Sequence, residues 1–149
     1  VEGKPLQIYN YGQMQRDFTY IDDIVNGILR VVGYLPQGKT TSETSSAPYQ
    51  IYNIGNNRPV SLLRFIETLE LALGIEANKT FLPMQPGDVP ATYADISAIA
   101  QDVGFQPHTP IEIGIPKFVD WYLNFYTPKT TQHNSQQSLQ PVEELLYTC

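Results

Sequence analysis

The chain is nearly without cysteine. Its single one, Cys149, is the last residue, so no internal disulfide can brace the fold and the default compartment is the cytoplasm. Positive charge is also scarce. Nine Lys and Arg stand against fifteen Asp and Glu, a net charge of −6. Such a chain repels a polyphosphate backbone, which excludes nucleic acid as a partner. Any phosphate ligand must instead be held by a few placed donors. No apolar run has the length of a membrane span, and no signal peptide is visible. The first residues, Val-Glu-Gly-Lys-Pro, lack a methionine and read as a start inside a larger protein.

Chemical motifs are missing too. No glycine is followed by another two positions on, so no Gly-rich phosphate loop exists. No tyrosine has a lysine four positions later, which removes the pair used for hydride chemistry on sugars. His108 and His133 lie far apart without Cys or acidic neighbours at ligand spacing, and read as surface histidines rather than a metal site. No serine sits in a nucleophile elbow. The chain by itself therefore carries no catalytic residue, no cofactor site and no metal site that sequence can identify.

What is present has an alternating order. LQIYN (6–10) reads as a strand and NYGQMQ (10–15) as a turn. RDFTY (16–20) reads as a short second strand or an extended arm. From Ile21 the period becomes helical, with Ile21, Ile24, Val25, Ile28 and Val32 on one face and Asp22 and Asp23 in the first turn. The polar stretch 36–48 reads as a flexible loop. YQIYNIG (49–55) resembles a buried parallel strand. Ser61 should cap a helix with Leu62, Phe65, Ile66, Leu69 and Leu73 inward and Gly74 at its end. KTFLP (79–83) makes a third strand. Asp95 should cap a short helix over 96–103, closed by Gly104. Thr109-Pro110-Ile111-Glu112 carries a cap, a first-turn proline and a capping-box glutamate. The helix after it should bury Ile111, Ile115, Phe118, Val119 and Tyr122, with Pro116 able to bend it. The tail 127–149 is mostly polar and reads as disordered. Strands alternating with helices give an α/β chain whose few strands form an incomplete sheet.

Four side chains are placed to contact a ligand. Arg16 follows a turn, and its planar fork suits phosphate oxygens. It could equally pair with Asp17 or Glu2 at the surface. Asp88, held in the turn PMQPGDVP, offers two acceptor oxygens suited to vicinal hydroxyls. It could also serve only its own backbone. Gln85 could reach the same ligand. Asn53 lies at the carboxyl end of the expected inner strand, where α/β folds gather ligands, or it ties down a neighbouring loop.

Taken together, GKPLQIYNYGQMQRDFTYIDDIV, YQIYNIGNN, FLPMQPGDVPATYAD and DVGFQPHTPIEIGIPKFVDWY resemble the carboxyl-terminal half of nucleotide-sugar epimerases and dehydratases. These are extended short-chain dehydrogenases/reductases of Rossmann type. RDFTYIDD is widespread among them, and MQPGDVPATYAD points to the UDP-glucuronate 4-epimerase subgroup. The resemblance covers residues 1–126 and implies a nucleotide-sugar-binding domain there. It implies a UDP-sugar ligand, with Arg16 on the pyrophosphate, Gln7 and Tyr9 of the first strand at the uracil, and Asp88 on the ribose hydroxyls. Gln85 stands where many relatives carry a phosphate-directed arginine. NAD and the catalytic Tyr/Lys pair would belong to an amino-terminal Rossmann half outside this chain. The parent would oxidise the sugar at C4 and return the hydride to the other face of a 4-keto sugar, and would be a homodimer. The alternatives are the equivalent half of another sugar-nucleotide epimerase or 4,6-dehydratase, and a non-catalytic nucleotide-sugar-binding remnant.

Overall fold

The computed structural model describes residues 3–36 and 48–126. Most of the polar loop, the tail 127–149 and His133 lie outside the described residues.

Alternating apolar and polar residues form strand β1 (Leu6–Ile8) and strand β4 (Lys79–Phe81), which pair in parallel with Gln7 opposite Thr80. The strand expected over 6–10 ends two residues early. Tyr9–Gly12 instead make a 3-10 turn, with φ of 49° at Asn10, 52° at Tyr11 and 80° at Gly12. Asparagine tolerates the left-handed region better than most residues, and its Nδ2 donates to the Gln13 carbonyl at 2.8 Å. A Cβ on Gly12 would sit 2.8 Å from Leu63 Cδ2, so glycine is required there. Tyr9 therefore lies in the turn after the strand and not in the strand itself.

Strand β2 (Gln15–Arg16) pairs antiparallel with β3 (Val60–Ser61) and makes a parallel bridge to Ala91 on its other side. Residues 17–20 belong to no strand. They lead into α1 (Ile21–Val32), which begins where the helical period begins. Its apolar stripe, however, does not face the core. Ile28 is 48%, Leu29 67% and Val32 79% exposed, while Asp23 and Gly27 are buried. Gly27 lets the helix close on Ile54 and Phe105, since a Cβ there would lie 3.1 Å from each.

The expected inner strand YQIYNIG is the clearest departure. It joins neither two-stranded sheet, and Ile51 is 79% exposed. A strand is defined by its ladder, and among the described residues no partner is there to supply one. The other helices begin and end close to their sequence signals. Ser61 Oγ accepts the Arg64 N–H at 3.2 Å to open α2 (Leu62–Leu73), and Gly74 closes it in the left-handed region. Helix α3 (Ser97–Val103) starts one residue later than expected, with Ile96 and not Asp95 at its N-cap; Asp95, one position further out, accepts the backbone N–H and the hydroxyl of Ser97, and a left-handed glycine, Gly104, closes the helix.

Helix α4 (Ile111–Tyr126) runs through Pro116 and packs Ile111, Ile115 and Val119 against Phe65, Leu69 and Leu73 of α2. Phe18 and Phe65 stack at 4.0 Å between centroids. Phe118, expected inside, is 51% exposed and borders an open apolar cleft of about 340 Å³ together with Phe65 of α2, Ile111 and Ile115. The expected capping box is not formed. Glu112 instead receives Arg64 at 3.2 Å, and the Thr109 N–H goes to Asp23 Oδ2 at 2.9 Å. Asp23, 1% exposed, thus holds the entrance of α4 from across the chain. It is more than a first-turn carboxylate.

Candidate functional site

A phosphate can be held only where a cation is placed and kept in place. Arg16 is placed by β2. Its strand is flanked by residues 90–92, since the Gln15 N–H donates to the Pro90 carbonyl and the Thr92 N–H to the Gln15 carbonyl. The turn PMQPGDVP thereby comes to lie beside Arg16. Arg16 Nη2 meets Asp88 Oδ1 at 2.7 Å, and Nη1 donates to the Gln15 carbonyl at 2.8 Å and the Pro90 carbonyl at 3.5 Å. Of the alternative partners, Asp17 bonds backbone N–H groups instead, and Glu2 lies outside the described residues.

Asp88 is set by a turn closed by its own N–H on the Gln85 carbonyl at 3.2 Å, with φ of 84° at Gly87. Oδ1 also accepts the Val89 N–H at 2.8 Å. Both bonds fall on one oxygen, so Oδ2 has no protein partner among the described residues. The two side chains are 27% and 31% exposed, so the pair is half-open to solvent. Gln85 is exposed in the same turn.

Gln7 lies on β1 and Tyr9 in the turn that follows it. The Leu82 N–H donates to the Ile8 carbonyl and the Tyr11 N–H to the Leu82 carbonyl, which sets the start of the turn against the end of β1. Tyr9 donates its hydroxyl to Gln7 Oε1 at 2.8 Å. Of the six residues singled out from sequence, Arg16 touches Asp88 and Tyr9 touches Gln7. Gln85 shares only its backbone with the turn.

Asn53 lies elsewhere and bonds the Asp95 carbonyl at 3.3 Å, the loop-tying role. It borders an open polar cleft of about 510 Å³ with Asp17, Thr19, Tyr52, Thr92 and Asp95, which neither Arg16 nor Asp88 lines. Tyr52 donates to Asp102 at 2.6 Å. Loss of water contact first, and Asp102 next, push its hydroxyl up to about 12.

Asp17 carries no sequence signal of its own yet does more than any of these side chains to hold the region together. Its carboxylate accepts the backbone N–H groups of Asn56, Asn57 and Ala94 at 3.0–3.2 Å, gathering the segment after Ile54 and the one before α3 around β2. Its partners lie 39 to 77 positions away, so no local pattern announces the role. A Cβ on Gly55 would lie 2.8 Å from Asp17 Oδ2 and 2.4 Å from Ala94 Cβ, which fixes glycine there.

No group of three His, Cys, Asp or Glu among the described residues could hold a metal. His108, with its side chain 80% exposed, lies 3.2 Å from Asp23. β1 runs into a 3-10 turn with no Gly-rich loop and no helix N-terminus to take a pyrophosphate. No described helix is long and apolar enough to cross a membrane.

A parallel strand pair, helices around it and unladdered strand-like residues make this an α/β fold of Rossmann-type extended short-chain dehydrogenase/reductase kind, with an incomplete sheet. The UDP-glucuronic acid 4-epimerase of Bacillus cereus, solved with UDP-glucuronic acid and NAD, superimposes with a TM-score of 0.69 at 31% identity, over 84% of this chain and 37% of that one. Residues 1–55 match the model of the NAD dependent epimerase/dehydratase family. Protein CapI of Staphylococcus aureus is 47% identical over 133 residues, 85% of this chain and 40% of CapI. UDP-glucuronate 4-epimerase 1 of Arabidopsis thaliana is 42% identical over 134 residues, 85% of this chain and 31% of its own length. The chain is thus similar to members of the NAD dependent epimerase/dehydratase family, whose model its residues 1–55 match. Among them it is similar to UDP-glucuronate 4-epimerases, and it spans two fifths or less of the length of these relatives.

Proposed function

We propose that residues 1–126 are the UDP-binding half of an enzyme that interconverts UDP-glucuronate and UDP-galacturonate through a 4-keto sugar. The observation that carries this is the meeting of Arg16 and Asp88, a phosphate-type donor and a diol-type acceptor, from positions 72 apart. In this reading Arg16 holds the pyrophosphate and Asp88 Oδ2 takes the ribose hydroxyls. Gln7 and Tyr9 border the uracil, and Gln85 faces the phosphates as a neutral amide. The grip on UDP is remote from the reacting carbon, so it can anchor the ligand while the sugar turns.

An amino-terminal Rossmann half would bring NAD, which supplies the hydride acceptor, and the Tyr/Lys pair. The open stripe of α1 beside the unladdered residues 49–54 supports such a partner, because both are surfaces that another part of a sheet would cover. The whole would work in the cytoplasm as a homodimer, and this chain alone would be inactive. Calorimetry of the chain with UDP tests the reading. Binding that is lost in Arg16→Ala and strongly weakened in Asp88→Ala is the expected result. UDP binding unchanged in both variants would refute the site, and epimerisation by the isolated chain would refute the division of labour.

A further inference from the structure

The ion pair between Arg16 and Asp88 has a second implication, which rests on the UDP-binding reading above. A cation meant only to seize phosphate would be left open. Arg16 is instead closed on three sides, by the Asp88 carboxylate and the carbonyls of Gln15 and Pro90. Its positive charge is largely cancelled within 2.7 Å. Asp88, for its part, spends only Oδ1 on Arg16 and Val89 and keeps Oδ2 without a protein partner among the described residues.

We propose that Asp88 discriminates against phosphates that carry no nucleoside. The carboxylate screens Arg16, so a bare polyphosphate meets a nearly neutral site and is held weakly. A ligand that also presents vicinal hydroxyls satisfies Oδ2 and recovers the lost attraction by hydrogen bonding to a charged acceptor. The same residue thus penalises one ligand class and rewards the other, which is how specificity as a difference of affinities is built. The overall negative charge of the chain acts in the same direction.

The test compares UDP and inorganic pyrophosphate as calorimetric ligands of the full chain and of Asp88→Asn. The isosteric amide keeps the turn and removes the charge. Expected is weaker UDP binding together with roughly two- to fivefold tighter pyrophosphate binding, the scale of a half-exposed ion pair. The pyrophosphate gain should shrink as salt rises. Two results overturn the proposal. Pyrophosphate binding unchanged in Asp88→Asn would make Asp88 a ribose contact alone. Pyrophosphate binding weakened in parallel with UDP would make it a positioning residue for Arg16. Circular dichroism on the variant separates either outcome from misfolding, and Asp88→Ala repeats the comparison if the amide disturbs the turn. Absence of UDP binding in the parent chain would remove the underlying reading, and this proposal with it. UDP binding that depends on Arg16, without a pyrophosphate gain, would remove the proposal alone.

Discussion

At the residue scale, two carboxylates, Asp17 and Asp23, tie segments far apart in the chain to one another beside the apolar core. Asp17 collects three backbone N–H groups at 3.0–3.2 Å from two separate segments. Removing it leaves those donors without their charged acceptor on the wall of the polar cleft that Asp17, Gly55 and Ala94 line. Asp17→Ala should cost about 2–4 kcal/mol, on the scale of charged acceptors and orphaned donors. The midpoint of urea unfolding measures it, and a loss below roughly 0.5 kcal/mol would mean that solvent replaces the carboxylate. Sequence showed Arg16 and Asp88 because each residue type announces its chemistry. It did not show Asp17 or Asp23, whose meaning lies in backbone groups far along the chain.

Helix boundaries were legible, since the signals at Ser61, Gly74, Asp95 and Gly104 act within a few residues of themselves. What failed was decided at long range. The capping box of α4 lost its N–H to Asp23, and 49–55 found no ladder. The stripe of α1 was read correctly as a stripe, yet periodicity cannot say what covers it. The join between α2 and β4 is likewise tertiary. Glu70 accepts the Ala77 N–H at 2.7 Å and pairs with Lys79. The Lys79 hydrogen bond, and then Ala77, hold the Glu70 carboxyl below its usual 4.5. A lowered value means that the stabilisation is present above the usual range and is lost as pH falls through the folded value. Chemical denaturation between pH 6 and 3 should therefore show a drop in the unfolding midpoint that Glu70→Gln lacks. Equal pH slopes in the two proteins would assign the acid sensitivity elsewhere.

At the scale of the whole molecule, one flank is finished and the other is open. The α2–α4 layer has a packed core of Ile111, Ile115 and Val119. The α1 flank leaves Ile28, Leu29, Val32 and Ile51 in solvent. A concentration-dependent association of the isolated chain is expected, and sedimentation should detect it. The double variant Leu29→Glu, Val32→Glu should abolish it while changing thermal stability little, because these side chains are 67% and 79% exposed. A large loss of stability in that variant would show that the flank is internal after all.

The parallel pairing of β1 with β4 also fixes an order of events. Parallel strands cannot be joined by a hairpin, and Leu6 must wait for Lys79 while two helices form between them. The chain entropy lost in that closure precedes the contacts that compensate it. The contact of Arg16 with Asp88 spans 72 positions and carries a closure cost of the same kind. On a ribosome Arg16 would emerge long before its companion, so a ligand that needs both could be held only once Asp88 had been made.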